Sequence, residues 1–513
     1  MRVLTGVMGA GVAALALTPP ALADVTPEQV WDDLSGMLEG VGYEVSVTES
    51  PSGGNLLLSD LTLTMAVAAG EAQAAGDVTV AFGDLTFEDL GDGTVGIRFP
   101  SPMPIDIRVT EEGAEPVEMT LELGQEALEM IASGTPEAMD YSYSAAATSL
   151  DLVRLVAEGE ELPREVISAS LATGPLSGSS EVDSSDGTRR YSHSYKTDEL
   201  RYDLSGSNPE EENVTGQISG RMTGLASSGM SVIPDEMGSE DAAAFMAAGF
   251  EGSGRFTYET GQASFAVTQD GETMTGSSSS KGGSFEGSID GAHLSYALSL
   301  DTLNYEAEGS SLPFPVSAAM DEVAYNMTLP LAKSDTPQDL ALGLTLGGLT
   351  VSDQIWGIFD PGGSLPRDPA TLAFDITGKA TPLVSIFDPA DLAQLEGEET
   401  APAELNALSL NSLTLEVAGA KITGAGDFTF HNEDTESYGG MPRPEGAVNF
   451  TLAGANGLID KLIAMGLLSQ QDAMGARMML GMFTVAGSEP DTMTSTIEVD
   501  ADGHLLANGQ RIR

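Results

Sequence analysis

Cysteine is absent from all 513 residues. Neither disulfides nor thiolates can therefore stabilise the chain or do chemistry in it, which excludes Cys-His catalysis and thiolate zinc sites together. It also excludes a bacterial lipoprotein anchor, which needs a cysteine at the processed N-terminus. Basic residues are scarce: Lys+Arg number 21 against 78 Asp+Glu, for a net charge of -57. A surface this acidic repels nucleic acid and anionic headgroups at long range, and it draws in cations and basic partners. Histidine occurs only four times. Long apolar runs are missing too, since no segment after the first stretch reaches the roughly 20 residues that cross a bilayer as a helix.

That first stretch has a purpose of its own. Met1 and Arg2 give a positive start, Val3 to Leu17 are apolar, Pro19 and Pro20 interrupt, and Ala21-Leu22-Ala23 is a small-x-small cleavage pattern. Residues 1–23 thus read as a cleavable signal peptide. The mature chain is expected to start at Asp24 and to work outside the cytoplasm, in a bacterial periplasm.

Strong acidity often accompanies disorder, but hydrophobic residues make up 41% of this chain and alternate in ways that can bury surface. The mature part opens with a helix. Thr26 caps it, Pro27 suits its first position, Gln29 completes a capping box, and Val30, Trp31, Leu34, Met37, Leu38 and Val41 share one face. Strands are predicted next, at Tyr43 to Thr48, Asn55 to Val67, Asp77 to Leu85, Thr94 to Phe99 and around Met119 to Leu123, with Asp92-Gly93 as a hairpin turn. Gln125 to Ile131 and Leu150 to Ala157 read as short helices. The Gly/Ser-rich middle still alternates, at Tyr191, His193 and Tyr195 and again at Leu294, Tyr296, Leu298 and Leu300. Turns are expected there at Asp186-Gly187, Asp270-Gly271 and Asp290-Gly291.

In the last third, Ser352 to Phe359 reads as a helix, and Leu372 to Ile376, Leu408 to Val417, Lys421 to Phe430 and Ala447 to Leu452 as strands. Asn456 to Leu467 and Ser469 to Phe483 form a helical pair, the second helix capped by Ser469 and Asp472. A terminal hairpin of Thr494 to Val499 and His504 to Ile512 turns at Asp502-Gly503. The fold expected is mainly β with a few short helices: elongated, curved antiparallel sheet, with the N-terminal helix and the C-terminal helical hairpin packed on it. Composition divides it into residues 24–167, a Gly/Ser-rich 168–330 and a C-terminal 331–513, which can also be one continuous domain.

Four stretches in this order resemble an uncharacterised periplasmic family of alphaproteobacteria, the domain of unknown function 2125. They are Thr26-Pro27-Glu28-Gln29-Val30-Trp31, then Trp356-Gly357-Ile358-Phe359-Asp360-Pro361 with Leu365-Pro366-Arg367-Asp368-Pro369, then the Met-containing helical pair, and finally Asp502-Gly503-His504-Leu505-Leu506-Ala507-Asn508-Gly509. The resemblance spans nearly the whole mature chain. It implies export and a mostly β body, and it brings no activity or functional residues.

Candidate chemistry is thin. His193, His293, His431 and His504 lack the spacing of metal sites or triads. Ser278-Ser279-Ser280-Lys281 matches S-x-x-K but lies among strands, without the helix that motif needs. Asp500, Asp502 and Gly503 resemble the start of a calcium loop, yet the sixth-position Gly and twelfth-position Glu are missing, so a hairpin turn is the better reading. Weak, non-specific divalent cation binding by acidic turns remains in keeping with the charge. Met474, Met478 and Met482, with Met479 beside them, carry thioethers able to bind Cu(I), but the spacing is equally that of a buried stripe, and core packing is expected. Arg189, Arg190 and Lys196 are expected to pair with acids of the same protein.

No catalytic, cofactor or metal residues are assigned on this reading, and the protein is expected not to be an enzyme. The leading expectation is an exported β-rich protein that binds lipid or another apolar ligand in the cell envelope. The alternative is an envelope scaffold or assembly protein that binds a protein partner. An outer-membrane barrel fits poorly, because the mid-chain strands carry too much Gly, Ser and charge for a lipid-facing band.

Overall fold

The computed structural model describes the chain except residues 1–23, 41, 68–75, 112, 186, 209–213, 235–241, 389–390 and 392–400. The leader and Asp186 of one expected turn therefore lie outside the described residues. Thirty strands hydrogen-bond into one antiparallel sheet, accompanied by five helices among the described residues. Most of the expected strands are present, and Asn55–Val67 has the expected bounds. The opening helix, Pro27–Gly40, is capped as its sequence demands, with Thr26 N bonding to Gln29 Oε1 and Gln29 N to Thr26 Oγ1. Ser469 likewise accepts from Asp472 N at the head of helix Gln470–Phe483.

Two expected helices are strands. Residues 125–126 end Val117–Glu126 and 129–131 begin Glu129–Thr135, with a break at 127–128, and residues 150–157 belong to Ala147–Ala157. Leu150 faces Leu123 and Leu152 faces Leu121 across the pair, so an alternation of two buries the residues that a helical period had been asked to explain. The chain end also differs. Thr492–Val499 pairs with Leu505–Ala507, which turns again at Asn508-Gly509 to pair with Gln510–Arg511, making two short hairpins in place of one.

Successive strands are interrupted at matching places. Asp60, Ala127 and Thr302 adopt positive φ, Gly174-Pro175 separates Ile167–Thr173 from Leu176–Asp183, and Glu259 separates Glu251–Tyr258 from Thr260–Gln269. Glycine is required on this line: a Cβ on Gly224 (φ +61) meets the Glu259 side chain at 2.5 Å, and one on Gly348 (φ +66) meets Asp321. At several of these places the two halves of a long strand pair with different neighbours, as Asn55–Val67 does with Leu85–Asp89 on one side of Asp60 and with Gly76–Phe82 on the other.

Between residues 55 and 207 the split strands close a ring of twelve. From Asn55–Val67 pairing runs through Gly76–Phe82, Met103–Glu111, Val117–Glu126, Ala147–Ala157 and Ile167–Thr173 to Thr188–Ser207. It returns through Leu176–Asp183, Ala138–Ala145, Glu129–Thr135, Val95–Arg98 and Leu85–Asp89. Inside lies a hydrophobic cluster of buried residues, built from Leu56, Leu58, Phe87, Val95, Ile97 and Met139 and closed by Val30 and Trp31 of the opening helix. The Trp31 ring meets Phe87 edge-on at 6.1 Å, and its Nε1 bonds to Glu49. From Thr215–Pro234 onward the sheet continues as a meander to Thr492–Val499.

Candidate functional site

The meander carries side chains of opposite character on its two faces. Direct cross-strand partners share a face, so the register can be followed from strand to strand. One row reads Tyr195, Ser227, Phe256, Phe285, Leu298, Tyr325, Leu344, Phe374, Leu413, Gly424, Phe450, Ser495. The parallel row two residues away includes Tyr296, Met327, Leu342, Ile376, Leu410, Val448 and Ile497. The other face is hydroxylic and charged: Ser284 bonds to Ser299, Ser295 to Thr328, and Arg255 pairs with Glu286 at 3.1 Å. Alternation of this kind ordinarily places the apolar side against a second layer.

Among the described residues no such layer covers the part of the face around Phe285 and Leu298. Phe285 is 45% exposed, and Tyr296, Leu298, Leu329, Leu342, Leu372 and Leu415 are exposed to a similar degree, whereas Phe87 inside the ring is 1% exposed. A cavity of about 440 Å³ opens on this face between His193, Phe256, Phe285, Leu294 and Tyr296. Helix Gln470–Phe483 covers the far end, and between its Ala476, Met479, Leu480 and Phe483 and the sheet's Leu413, Ile422, Phe450, Leu452 and Ile497 lies an apolar cavity of about 700 Å³. Exposed contiguous apolar surface of this extent marks an interaction site in a folded protein.

The structure disperses the residues singled out from the sequence. His193 stands on the apolar face beside Tyr191, His293 lies 3.9 Å from Asp290, and His431 bonds to Glu445 at 2.8 Å. Ser278 sits in strand Glu272–Ser280 and Lys281 follows at the interruption, its N–H bonding to Asp301, with no helix at either. His504 joins Asp500 and Asp502, whose ligand atoms lie within 4.8 Å of one another and can present three ligands to a cation. The Asp500 carboxylate is already engaged by the turn, accepting from the N–H groups of His504 and Asp502. The His504 backbone N–H contributes most to holding its pKa below the usual carboxylate range.

Arg189 pairs within the protein, as expected, giving two bonds to Asp33 of the opening helix, one to the carboxylate at 2.5 Å and one to the carbonyl oxygen at 2.8 Å. Tyr141 donates to the same carboxylate at 2.6 Å. Burial first, and this bond to an anion second, push the Tyr141 hydroxyl far above the usual tyrosine range. The clasp ties the helix to the ring across 108 and 156 residues of sequence. Sequence spacing carries no signal for a contact of that kind.

The methionine stripe is a correction. Met474, Met478 and Met482 are exposed, not packed, because helix Gln470–Phe483 turns Ala473, Ala476, Leu480 and Phe483 to the sheet and the stripe to the opposite side. In the Trp356 segment, Asp360 is fully covered and accepts from the N–H groups of Ser364 and Leu365, each at 2.9 Å, while Arg367 lies over the Trp356 ring. Those residues hold a loop together.

Residues 247–508, just over half of the chain, match the family described as an uncharacterized protein conserved in bacteria, DUF2125. The match includes the Trp356 segment, the helical pair and most of the ending that carried the resemblance, and it leaves Thr26 to Trp31 outside. No curated protein and no solved structure matches the chain.

Proposed function

The chain belongs to the DUF2125 family, and from that premise we propose that it is an exported, non-enzymatic carrier of apolar ligands in the bacterial cell envelope. Acyl chains of lipid lie along the open face of the meander. The observation that carries this reading is the mainly apolar row from Tyr195 to Phe450, interrupted only by Ser227 and Gly424, which is half-buried along most of its length and exposed at Phe285 and Leu298. Eleven strands take part in that row, and at about 4.8 Å per strand they extend it to roughly 50 Å, longer than one acyl tail. Side chains along it are flexible or aromatic, and polar groups are few, as in sites that hold lipid by contact area. A sheet curved toward this face would wrap the tails more closely. Residues 1–23 supply the export signal, and no helix among the described residues is long and apolar enough to cross a membrane.

Native purification followed by solvent extraction and mass spectrometry tests the proposal. Co-purifying phospholipid or fatty acid is expected, reduced at least fivefold in a Leu344→Glu, Phe374→Glu variant. Recovery of no lipid above a control protein overturns the reading. Cross-linking in intact cells separates it from the scaffold alternative, for which one specific protein adduct and no lipid are expected.

A further inference from the structure

We propose that the outer face of helix Gln470–Phe483 is a membrane-docking surface that seats this end of the sheet on a zwitterionic lipid bilayer. Met474 is 68% exposed and Met478 67%, with Met482 following one turn later. On a helix of 3.6 residues per turn these three lie about half a turn from Ala473, Ala476, Leu480 and Phe483, which face the sheet. The helix is thus apolar on both sides. Leu467 before it and Val485 after it are also exposed.

Charge selects the occupant. Between Ala455 and Val485 the only charged residues are Asp460, Lys461, Asp472 and Arg477, which sum to zero, and Arg477 is bonded to Asp460 at 2.6 Å. The whole chain carries -57. A basic partner would be drawn to nearly any other part of this surface in preference to the neutral apolar one. A bilayer with neutral headgroups accepts apolar side chains of a surface helix without demanding opposite charge, and unbranched methionines adapt to its irregular interior. Anionic headgroups would be repelled by the remainder of the molecule over about a Debye length, roughly 8 Å at physiological salt. The patch adjoins the cavity under the same helix, so docking places that cavity beside the bilayer. This surface is independent of whether the sheet face holds lipid.

The test is flotation of the full mature chain with phosphatidylcholine vesicles in a density gradient. Wild type is expected to float, and a Met474→Glu, Met478→Glu variant to lose at least tenfold of the floating fraction with an unchanged circular dichroism spectrum. Met474→Leu, Met478→Leu should float like wild type, as should Phe285→Glu on the open face. Replacing part of the phosphatidylcholine with phosphatidylglycerol should weaken flotation at low salt and restore it at high salt. Wild type remaining at the bottom, the Glu variant floating undiminished, or a vesicle-independent dimer abolished by Met478→Glu overturns the proposal. Flotation by a protein that yields no bound lipid supports docking and counts against the groove.

Discussion

Two phenylalanines on strands of the same sheet should respond very differently to truncation, if the meander's apolar face is open. Phe87 is 1% exposed and in edge contact with Trp31. Replacing it with alanine removes a fully buried ring and leaves a void that Leu56, Leu58 and Ile97 cannot fill, a change that costs about 3–5 kcal/mol. Phe285 is 45% exposed and its ring lies 6.1 Å from that of Tyr296. Its truncation forfeits about half of the 1.5–3 kcal/mol of a complete side-chain burial, plus part of one ring contact, and water fills the space. About 1–2 kcal/mol is expected. Urea unfolding of delipidated protein, followed by circular dichroism and by tryptophan fluorescence, measures both. Trp31 reports the ring and Trp356 the distant helix Asp353–Phe359, so separate transitions of the two regions are visible in the same experiment. A Phe285→Ala penalty equal to that of Phe87→Ala would mean that the face is packed, and the functional reading would fall with it.

Removing the clasp by Asp33→Ala leaves the Arg189 guanidinium and the Tyr141 hydroxyl without their shared acceptor, and a loss of about 3 kcal/mol is expected in the Trp31 transition. Helix Ala455–Ala464 has Gly454 at its cap position and takes its capping carboxylate from Asp491, which accepts from Asn456 N and Gly457 N; Asp491→Ala should cost about 1 kcal/mol and raise protease cleavage in the helical pair. Acid should destabilise the C-terminal part. Burial alone would raise the Asp491 carboxyl, but the bonds from Gly457 and Asn456 outweigh it, and the Ser364 and Leu365 N–H groups lower that of Asp360. With folded values below the unfolded ones, this stabilisation is present above about pH 4 and is lost as the pH falls further, so the urea midpoint should drop there. Tyr141 has the opposite sign, since its raised folded value gives stabilisation that is complete below about pH 10 and lost above it, in the Trp31 transition.

Period-two alternation was enough to find Asn55–Val67 and the strands of the Gly/Ser-rich middle, because every second side chain of a strand faces the same side whatever the neighbouring strands do. Caps were legible for the same reason: Thr26 with Gln29 and Ser469 with Asp472 interact within one turn. Leu150 to Ala157 was misread, since a dense apolar run satisfies a helical and a strand period alike, and only pairing with Leu121 and Leu123 decided between them. The methionine stripe was misassigned on similar grounds. Spacing showed that Met474, Met478 and Met482 share a face, but which face meets the sheet depends on the docking of Ala473, Leu480 and Phe483.

Composition and local pattern alone therefore determined a cysteine-free, strongly acidic chain of antiparallel strands with capped helices at both ends, because these follow from contacts among near neighbours and from summed charge. Tertiary structure decided the rest. Closure of twelve half-strands into a ring, the Asp33 clasp and the exposure of the row at Phe285 and Leu298 all join residues far apart in the chain. Whether an apolar face is core or open surface is a property of what lies across from it, and no residue carries that information in its own identity.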